Sequence, residues 1–383
     1  MIKVAIESKL PSVGTSIFSV MSALANAHGA INLSQGFPDF SMDPRMKSLV
    51  TEAMAKGFNQ YTAATGLPAL REQISALATE CYGIEVNPES EVTVTSGGTE
   101  ALFCAIAATI SEGDEVIVFE PCYDSYVPVI ELFGGVPIYV PLDFPDYKIN
   151  WQNVKKRVSS RTRMIILNSP HNPTGSTLDA ADLAELAKIV QANPIVILSD
   201  EVYEHIIFDG ADHQSILRHK DLAKRSFVVS SFGKTFHATG WKVGYCIAPE
   251  HLSKEFRKIH QFVTFSTSTP FQWAIAEYMK DRSHILELRN FYQTKRDYFL
   301  DLMKQSRFEP LTSKGTYFQL MKYDQISKKG DKAFAEWLTV EKGVATIPVS
   351  VFYHSGEDNK VLRFCFAKEN STLEKAAEIL IRL

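Results

Sequence analysis

The chain of 383 residues predicts an α/β fold, a mainly parallel sheet covered by helices that carries a second, smaller α+β lobe. Three observations predict it. From about residue 90 to about 248, short apolar runs alternate with longer stretches of helical spacing, the pattern of strands joined by helices. Beyond about residue 270 the alternation gives way to a long, charged helical stretch and then to two more strand-like runs. The length also exceeds what a single hydrophobic core comfortably fills.

Taken in order, residues 91–95 (EVTVT) read as a strand and 99–110 as a helix that opens after Gly-Gly. Residues 115–119 and 162–167 (TRMIIL) are strands, and 179–191 is a helix because Leu183, Leu186 and Ile189 recur on one face. Strands at 195–198, 227–229 and 243–248 complete the set. In such sheets, catalytic groups gather at the carboxyl ends of the strands. Residues 284–306 are expected to form one continuous helix linking the lobes, followed by strands at 316–320 (TYFQL) and 361–366 (VLRFCF) and a closing helix at 371–383. The first ~40 residues, rich in Ser, Gly and Pro around LSQGFPDF (33–40), have no large core of their own and are expected to complete the small lobe. The division is then 40–275 for the large domain, with 1–39 and 276–383 together forming the small one.

Composition narrows the function. With 45% hydrophobic residues, 22% charged residues and a formal net charge of -4, the chain lacks the basic surface that nucleic acid or an anionic membrane requires. The first ten residues carry Lys3, Glu7 and Lys9 and hold no apolar core of signal-peptide length, and no stretch approaches the roughly twenty apolar residues of a membrane span. A cytoplasmic location is expected. The five cysteines (Cys81, Cys104, Cys122, Cys246 and Cys365) are scattered without metal-ligand spacing and read as reduced thiols.

One lysine stands out. Lys234 lies in SSFGKTFHATGWKVGY (230–245), at the end of the apolar run Phe227-Val228-Val229. A lysine amine attacks an aldehyde only when neutral, so a lysine delivered by a buried strand and set near other positive charge is the useful kind. Taken singly, its companions are ordinary. The Gly98-Thr99 turn in TSGGTEAL can be a tight loop, Asn172 between Pro170 and Pro173 a turn residue, and Asp200 in SDEVYE a helix cap. Together they offer a phosphate seat at Gly98 and Thr99 with Ser231 and Lys242 beside it, a fixed donor at Asn172, a carboxylate at Asp200 and a phenol at Tyr203. A pyridine ring bearing a phosphate arm, a phenolic oxygen and an aldehyde needs that set, with the lysine for the aldehyde.

Asn172, the Asp200-x-x-Tyr203 pair, the Ser231-x-x-Lys234 loop and Lys242 resemble the class I aminotransferases of pyridoxal-phosphate fold type I. The resemblance covers essentially the whole chain. LSQGFPDF, NQYT (59–62), HNP, SDEVYE, GKTFHATGWKVGY, IPVSVF (347–352) and LRFCF (362–366) are most similar to the kynurenine, glutamine and methionine aminotransferases, the methionine enzymes above all. The resemblance implies pyridoxal 5'-phosphate held covalently by Lys234, which also moves the substrate proton. Asp200 would face the ring nitrogen, Asn172 and Tyr203 the phenolic oxygen, and Tyr123 the ring face. Gly98, Thr99, Ser231 and Lys242 would bind the phosphate, with Tyr61 reaching in from the second subunit of a homodimer. Arg363 would grip the substrate α-carboxylate as a fork, assisted by Gly36. Many members carry arginine where Lys242 stands, and lysine also occurs there in the resembled branch.

The residues matching the side-chain pocket are Phe18, Tyr61, Tyr123, Phe265 and Phe352, with Phe265 expected from the partner subunit. The stretch TFSTSTPF (264–271) has no arginine for a second carboxylate, so an apolar, sulfur-containing or aromatic amino acid is expected, with methionine first and Phe, Tyr, Trp, Leu and Gln after it. The acceptor is a 2-oxo acid. Two other readings are a carbon–sulfur β-lyase acting on cysteine conjugates and, more remotely, a non-catalytic ligand-sensing regulator. The second needs a basic DNA-binding segment for which there is no room before LSQGFPDF.

Overall fold

The computed structural model describes residues 6–383. Seven strands form the large sheet: β1 (Val92–Thr95), β2 (Glu115–Glu120), β3 (Val136–Pro141), β4 (Thr162–Asn168), β5 (Val196–Asp200), β6 (Ser226–Ser231) and β7 (Gly244–Ile247). They lie side by side in the order β1-β7-β6-β5-β4-β2-β3. β3, β2, β4, β5 and β6 run parallel to their neighbours, while β7 is antiparallel to both β6 and β1.

Alternation along the strands divides the packing between the two faces. In β4, Ile165 and Leu167 enter one apolar cluster while Met164 and Ile166 enter another. In β6, Val228 joins the first cluster, and Phe227 and Val229 join the second. A strand with period-two side chains and both faces covered reads as a continuous apolar run, which is how TRMIIL and FVV look in the sequence.

The second sheet is small and antiparallel: β8 (Glu309–Pro310), β9 (Phe318–Lys322), β10 (Ile347–Pro348) and β11 (Val361–Cys365), in the order β10-β11-β9-β8. Its cluster takes in Met21 and Leu33 from the N-terminal segment together with Phe318, Phe364 and Leu380. The same segment pairs Ile31 and Asn32, in parallel, with Val344 and Ala345. Described residues of the N-terminal segment thus pack with C-terminal elements.

Two expectations need correction. The helix expected over residues 284–306 is interrupted, with Ser283–Leu286 and Leu288–Leu302 separated at Glu287 and a 3-10 turn following at Met303–Gln305. Glu287 opens to φ -82, ψ -12, away from regular helix values. The cause lies in packing: Ile285 belongs to the core of the large sheet, whereas Leu288, Tyr292 and Phe299 belong to that of the small one. A straight helix would have to hold both sets on one line. The edge strand β3 has no counterpart in the strands read from the sequence, because its residues are mostly half-exposed and Pro137 interrupts the apolar run.

Candidate active site

Strand register sets the site. Asn168 at the end of β4 lies opposite Asp200 at the end of β5, Asp200 opposite Val229, Ser231 opposite Gly244, and Gly244 opposite Thr95. Four chain segments therefore leave the sheet at the same edge. A cavity of about 200 Å³ opens there, and Gly98, Thr99, Tyr123, Asn172, Asp200, Tyr203, Ser231, Lys234 and Lys242 all line it.

One end of the cavity suits an anion. The helix Gly97–Ala107 starts there with no side-chain cap from Ser96, so its first-turn N–H groups face the space without a side-chain acceptor. Gly97 takes φ +76, and a Cβ on it would lie 3.2 Å from Nζ of Lys242. A Cβ on Gly244 would meet Gly97, Ser230 and Gly98 backbone atoms at 2.7–2.8 Å, so only glycine lets β7 pass this close beneath the turn. Glu100 braces the turn from behind, its Oε2 accepting from Ser96 N at 2.7 Å and its Oε1 facing His260 Nδ1 at 2.6 Å. Cys104 donates to the same Oε1, and His260 Nε2 lies 2.7 Å from Ala64 O. These three side chains close on one another and on backbone, and their ligand atoms are spent in doing so.

The opposite end suits a protonated ring nitrogen. Asp200 is buried and receives the Tyr126 hydroxyl on Oδ2 at 2.6 Å and Val202 N on Oδ1 at 3.3 Å. Burial pushes its pKa up to about 6, while the Tyr126 hydrogen bond pulls the other way. Between the two ends, the backbone N–H of Asn172 donates to Asn168 Oδ1 at 2.7 Å, and Asn168 Nδ2 donates to the Asp200 carbonyl at 2.9 Å. Tyr123 stands edge-on to Tyr126 with ring centroids 5.6 Å apart.

Lys234 is half-buried, with its amine walled by the rings of Tyr203 and Tyr317 at 5.6 and 5.5 Å. Nζ donates to the Tyr317 hydroxyl at 2.9 Å and to the Gly36 carbonyl at 3.3 Å. Burial, helped by the charges of Arg363 and Lys242, lowers its pKa to about 8. An amine in that state is partly neutral near physiological pH and can attack a carbonyl.

Arg363, on β11, is almost wholly buried and lies 3.9 Å over the Phe318 ring. Its Nη1 donates to Asn172 Oδ1 at 2.8 Å and its Nη2 to Ser34 O at 3.0 Å, while Nε has no partner among the described residues. Phe18 and Phe352 flank the guanidinium at 5.1 and 5.8 Å and stand 5.9 Å from each other. Arg363, Gly36, Phe18 and Phe352 are not among the residues that line the cavity, and Arg363 joins it through its bond to Asn172, which does line it. A buried guanidinium with an unpartnered N–H suits a carboxylate.

Tyr61 and Phe265 do not line this cavity. They pack edge-on at 5.2 Å on the surface, 81% and 50% exposed, and Phe265 holds a left-handed φ of 64. Tyr126, Asn168, Tyr317 and the Glu100–His260 pair also belong to this region, though no sequence pattern singles them out. Tyr126 and Asn168 sit inside the stretches PCYDSY and NSPHNPTG that contain Tyr123 and Asn172, and Glu100 sits inside TSGGTEAL. Tyr317 carries no local signal, since TYFQL reads only as a strand.

The model of the family "Aminotransferase class I and II" matches residues 28–380. The chain is 48% identical to a methionine aminotransferase of Escherichia coli over 98% of each chain. It is 35% identical to a kynurenine–oxoglutarate transaminase of Dictyostelium discoideum, over 97% of this chain and 95% of that one. Its structure is similar to that of YbdL from Escherichia coli, described as having a methionine aminotransferase function, with a TM-score of 0.98 and 47% identity over the whole of both chains.

Proposed function

The chain belongs to the class I and II aminotransferases, and on that premise we propose that it moves the α-amino group of an apolar, sulfur-containing or aromatic L-amino acid, methionine first, to a 2-oxo acid. The observation that carries this reading is the meeting of a depressed-pKa lysine, a buried carboxylate and an open helix N-terminus in one cavity. That donor set fits pyridoxal 5'-phosphate, the cofactor of the family. When bound, it supplies an aldehyde for the amine and a ring that takes up the electron pair left at Cα.

The protein's own groups do the rest. Lys234 would hold the cofactor aldehyde and, as a neutral amine, would take the proton from Cα. Asp200 keeps the ring nitrogen protonated. Gly98, Thr99, Ser231 and Lys242 hold the phosphate, Asn172 and Tyr203 donate toward the phenolic oxygen, and Tyr123 covers the ring. Arg363 and Gly36 orient the α-carboxylate, which fixes the Cα–H bond relative to Lys234. Phe18 and Phe352 form the side-chain wall. Only lysines, Lys234 and Lys242, bring positive charge to the lining of the cavity, and both are assigned above. The stretch 264–271 likewise holds no arginine, so a second substrate carboxylate would be desolvated without a partner from that stretch.

The active form is a homodimer in which Tyr61 and Phe265 cross to the neighbouring site, with the segments 1–39 and 276–383 acting as the closing lobe. Exposed Tyr61, Phe262 and Phe265 support this, since adjacent bare aromatics mark a contact surface. All five cysteines are free, which suits the reducing cytosol. Among the described residues no helix is long and apolar enough to cross a membrane. The test is a comparison of amino-group transfer from methionine and from aspartate to a set of 2-oxo acids. Methionine should turn over well ahead of aspartate, and comparable aspartate turnover would sink the pocket assignment.

A further inference from the structure

We propose that Tyr317 is a positioning residue that aims the free electron pair of Lys234 at the substrate, a role that rests on the assignment of Lys234 above. The Lys234 amine has two contacts outside the cavity wall, the Tyr317 hydroxyl at 2.9 Å and the Gly36 carbonyl at 3.3 Å. The Tyr317 hydroxyl itself donates to the Gly36 carbonyl. Its one proton points to that carbonyl and toward the Tyr203 hydroxyl, both away from Lys234, so toward Lys234 it acts as an acceptor. Both contacts therefore accept, and a neutral amine gives each of them one N–H. The fourth tetrahedral position, the electron pair, is left on the side of the cavity that Lys234 lines.

The arrangement serves both protonation states. When Lys234 takes the Cα proton, the C–H bond breaks, an N–H bond forms and the bonding pair stays with the carbon. The new ammonium keeps its two donated bonds and points its third N–H back into the cavity. Neither transfer requires the amine to turn. Without the Tyr317 oxygen, a single anchor at Gly36 leaves the amine free to rotate about Cε–Nζ, and near-attack geometry is lost for part of the time.

The Tyr317 ring is held independently of its hydroxyl, edge-on to Tyr203 at 5.1 Å and against Phe318 at 4.9 Å. Tyr317→Phe therefore removes one oxygen and leaves the packing in place. The groups facing the amine are Asp200, Arg363, Lys242, Cys365, Tyr203 and Tyr317. Of these the substitution changes the last and removes the hydroxyl contact that Tyr203 has with it. Losing an acceptor disfavours the ammonium, so the Lys234 titration should fall below its value of about 8. The neutral fraction at pH 7 then rises while catalysis falls, a combination that a merely structural defect does not produce.

The experiment uses the apoenzyme and the holoenzyme. In the apoenzyme, pH-dependent acetylation of Lys234 is followed by mass spectrometry. In the holoenzyme, kcat and KM for methionine are measured, and borohydride reduction locates the cofactor. With Tyr317→Phe the acetylation midpoint should move down and kcat fall by roughly ten- to a hundredfold with KM little changed. Tyr292→Phe, which removes a hydroxyl bonded to His237 from a ring 5.7 Å away, should leave both at the wild-type values. An unchanged kcat overturns the proposal, as does a fall in kcat with an unmoved midpoint. Cofactor recovered on a lysine other than Lys234 in the wild-type protein overturns the assignment of Lys234 and the proposal with it. Cofactor on Lys234 with an unchanged kcat in the variant overturns the role of Tyr317 alone.

Discussion

Arg363 donates from Nη1 to Oδ1 of Asn172 across 2.8 Å, tying a strand of the small sheet to the loop that follows β4 of the large one. Through Asn168 the tie continues to the Asp200 carbonyl. Arg363, proposed to grip the substrate, and Asp200, proposed to face the cofactor ring, are thus joined by one hydrogen-bonded chain.

Arg363→Lys keeps the charge and breaks the geometry. A lysine cannot reach Asn172, Ser34 and a carboxylate together, since its donors radiate from one atom instead of forming a planar fork. Hydrogen bonds to charged groups are worth roughly 1.5–3 kcal/mol, so kcat/KM for methionine should fall by roughly ten- to a hundredfold. Steady-state kinetics against several methionine concentrations would check it, with KM carrying most of the change.

The Lys234 amine sets a pH dependence for cofactor capture by the apoenzyme. Its folded pKa is depressed to about 8, and the neutral amine is the reacting form, so the capture rate should rise as pH climbs through about 8 and then level off. A solvated lysine would go on gaining reactivity to its ordinary value of 10.5. Stopped-flow absorbance of apoenzyme mixed with pyridoxal 5'-phosphate over a pH series reads the midpoint directly.

Asp200 limits the acid side. Burial raises its pKa to about 6 and the Tyr126 hydroxyl opposes the rise, so Tyr126→Phe should push it further up. A protonated Asp200 offers no counter-charge to a ring N–H⁺. Cofactor affinity should weaken as pH falls through about 6, and in the variant the weakening should begin at higher pH. Equilibrium titrations of both proteins, compared at each pH, remove the contribution of the phosphate's own ionisation.

Glu100 and His260 form a buried pair behind the turn that opens the helix Gly97–Ala107. Glu100→Ala leaves His260 Nδ1 and Ser96 N without their acceptor while His260 keeps its contact with the Ala64 carbonyl, and a buried donor left unsatisfied costs about 1–3 kcal/mol. Urea unfolding should show a loss of that order. Cofactor affinity should fall as well, because Ser96 N holds the turn that opens the helix Gly97–Ala107.

What the sequence discloses and what it withholds divide along a physical line. Lys234, Asp200 and Asn172 are legible because each follows a short apolar run, and a polar residue at the end of a buried strand stands out in a single line of text. Glu287 is hidden because the helix pattern on either side of it is sound, and the break arises from two separate cores competing for one helix. Tyr317, Tyr126 and Glu100 are hidden for a different reason. Their partners lie 83, 74 and 160 positions away, and no local pattern announces a hydrogen bond of that span. Tyr61 and Phe265 are read from the family resemblance as parts of a site, yet in a single chain they are surface residues.

That last separation can be tested by mixing inactive subunits. If each site uses its own Lys234 and its neighbour's Tyr61, then Lys234→Ala and Tyr61→Ala proteins are each impaired alone. In a hybrid dimer, the Tyr61→Ala subunit keeps its lysine and receives an intact Tyr61 from the other chain, which restores one site of the two. Random reassociation of equal amounts makes half the dimers hybrid, so about a quarter of all sites should recover wild-type turnover. Mixing the two proteins after mild dissociation and assaying methionine transfer gives the number. A sum no greater than the separate activities would mean that Tyr61 serves its own chain or none.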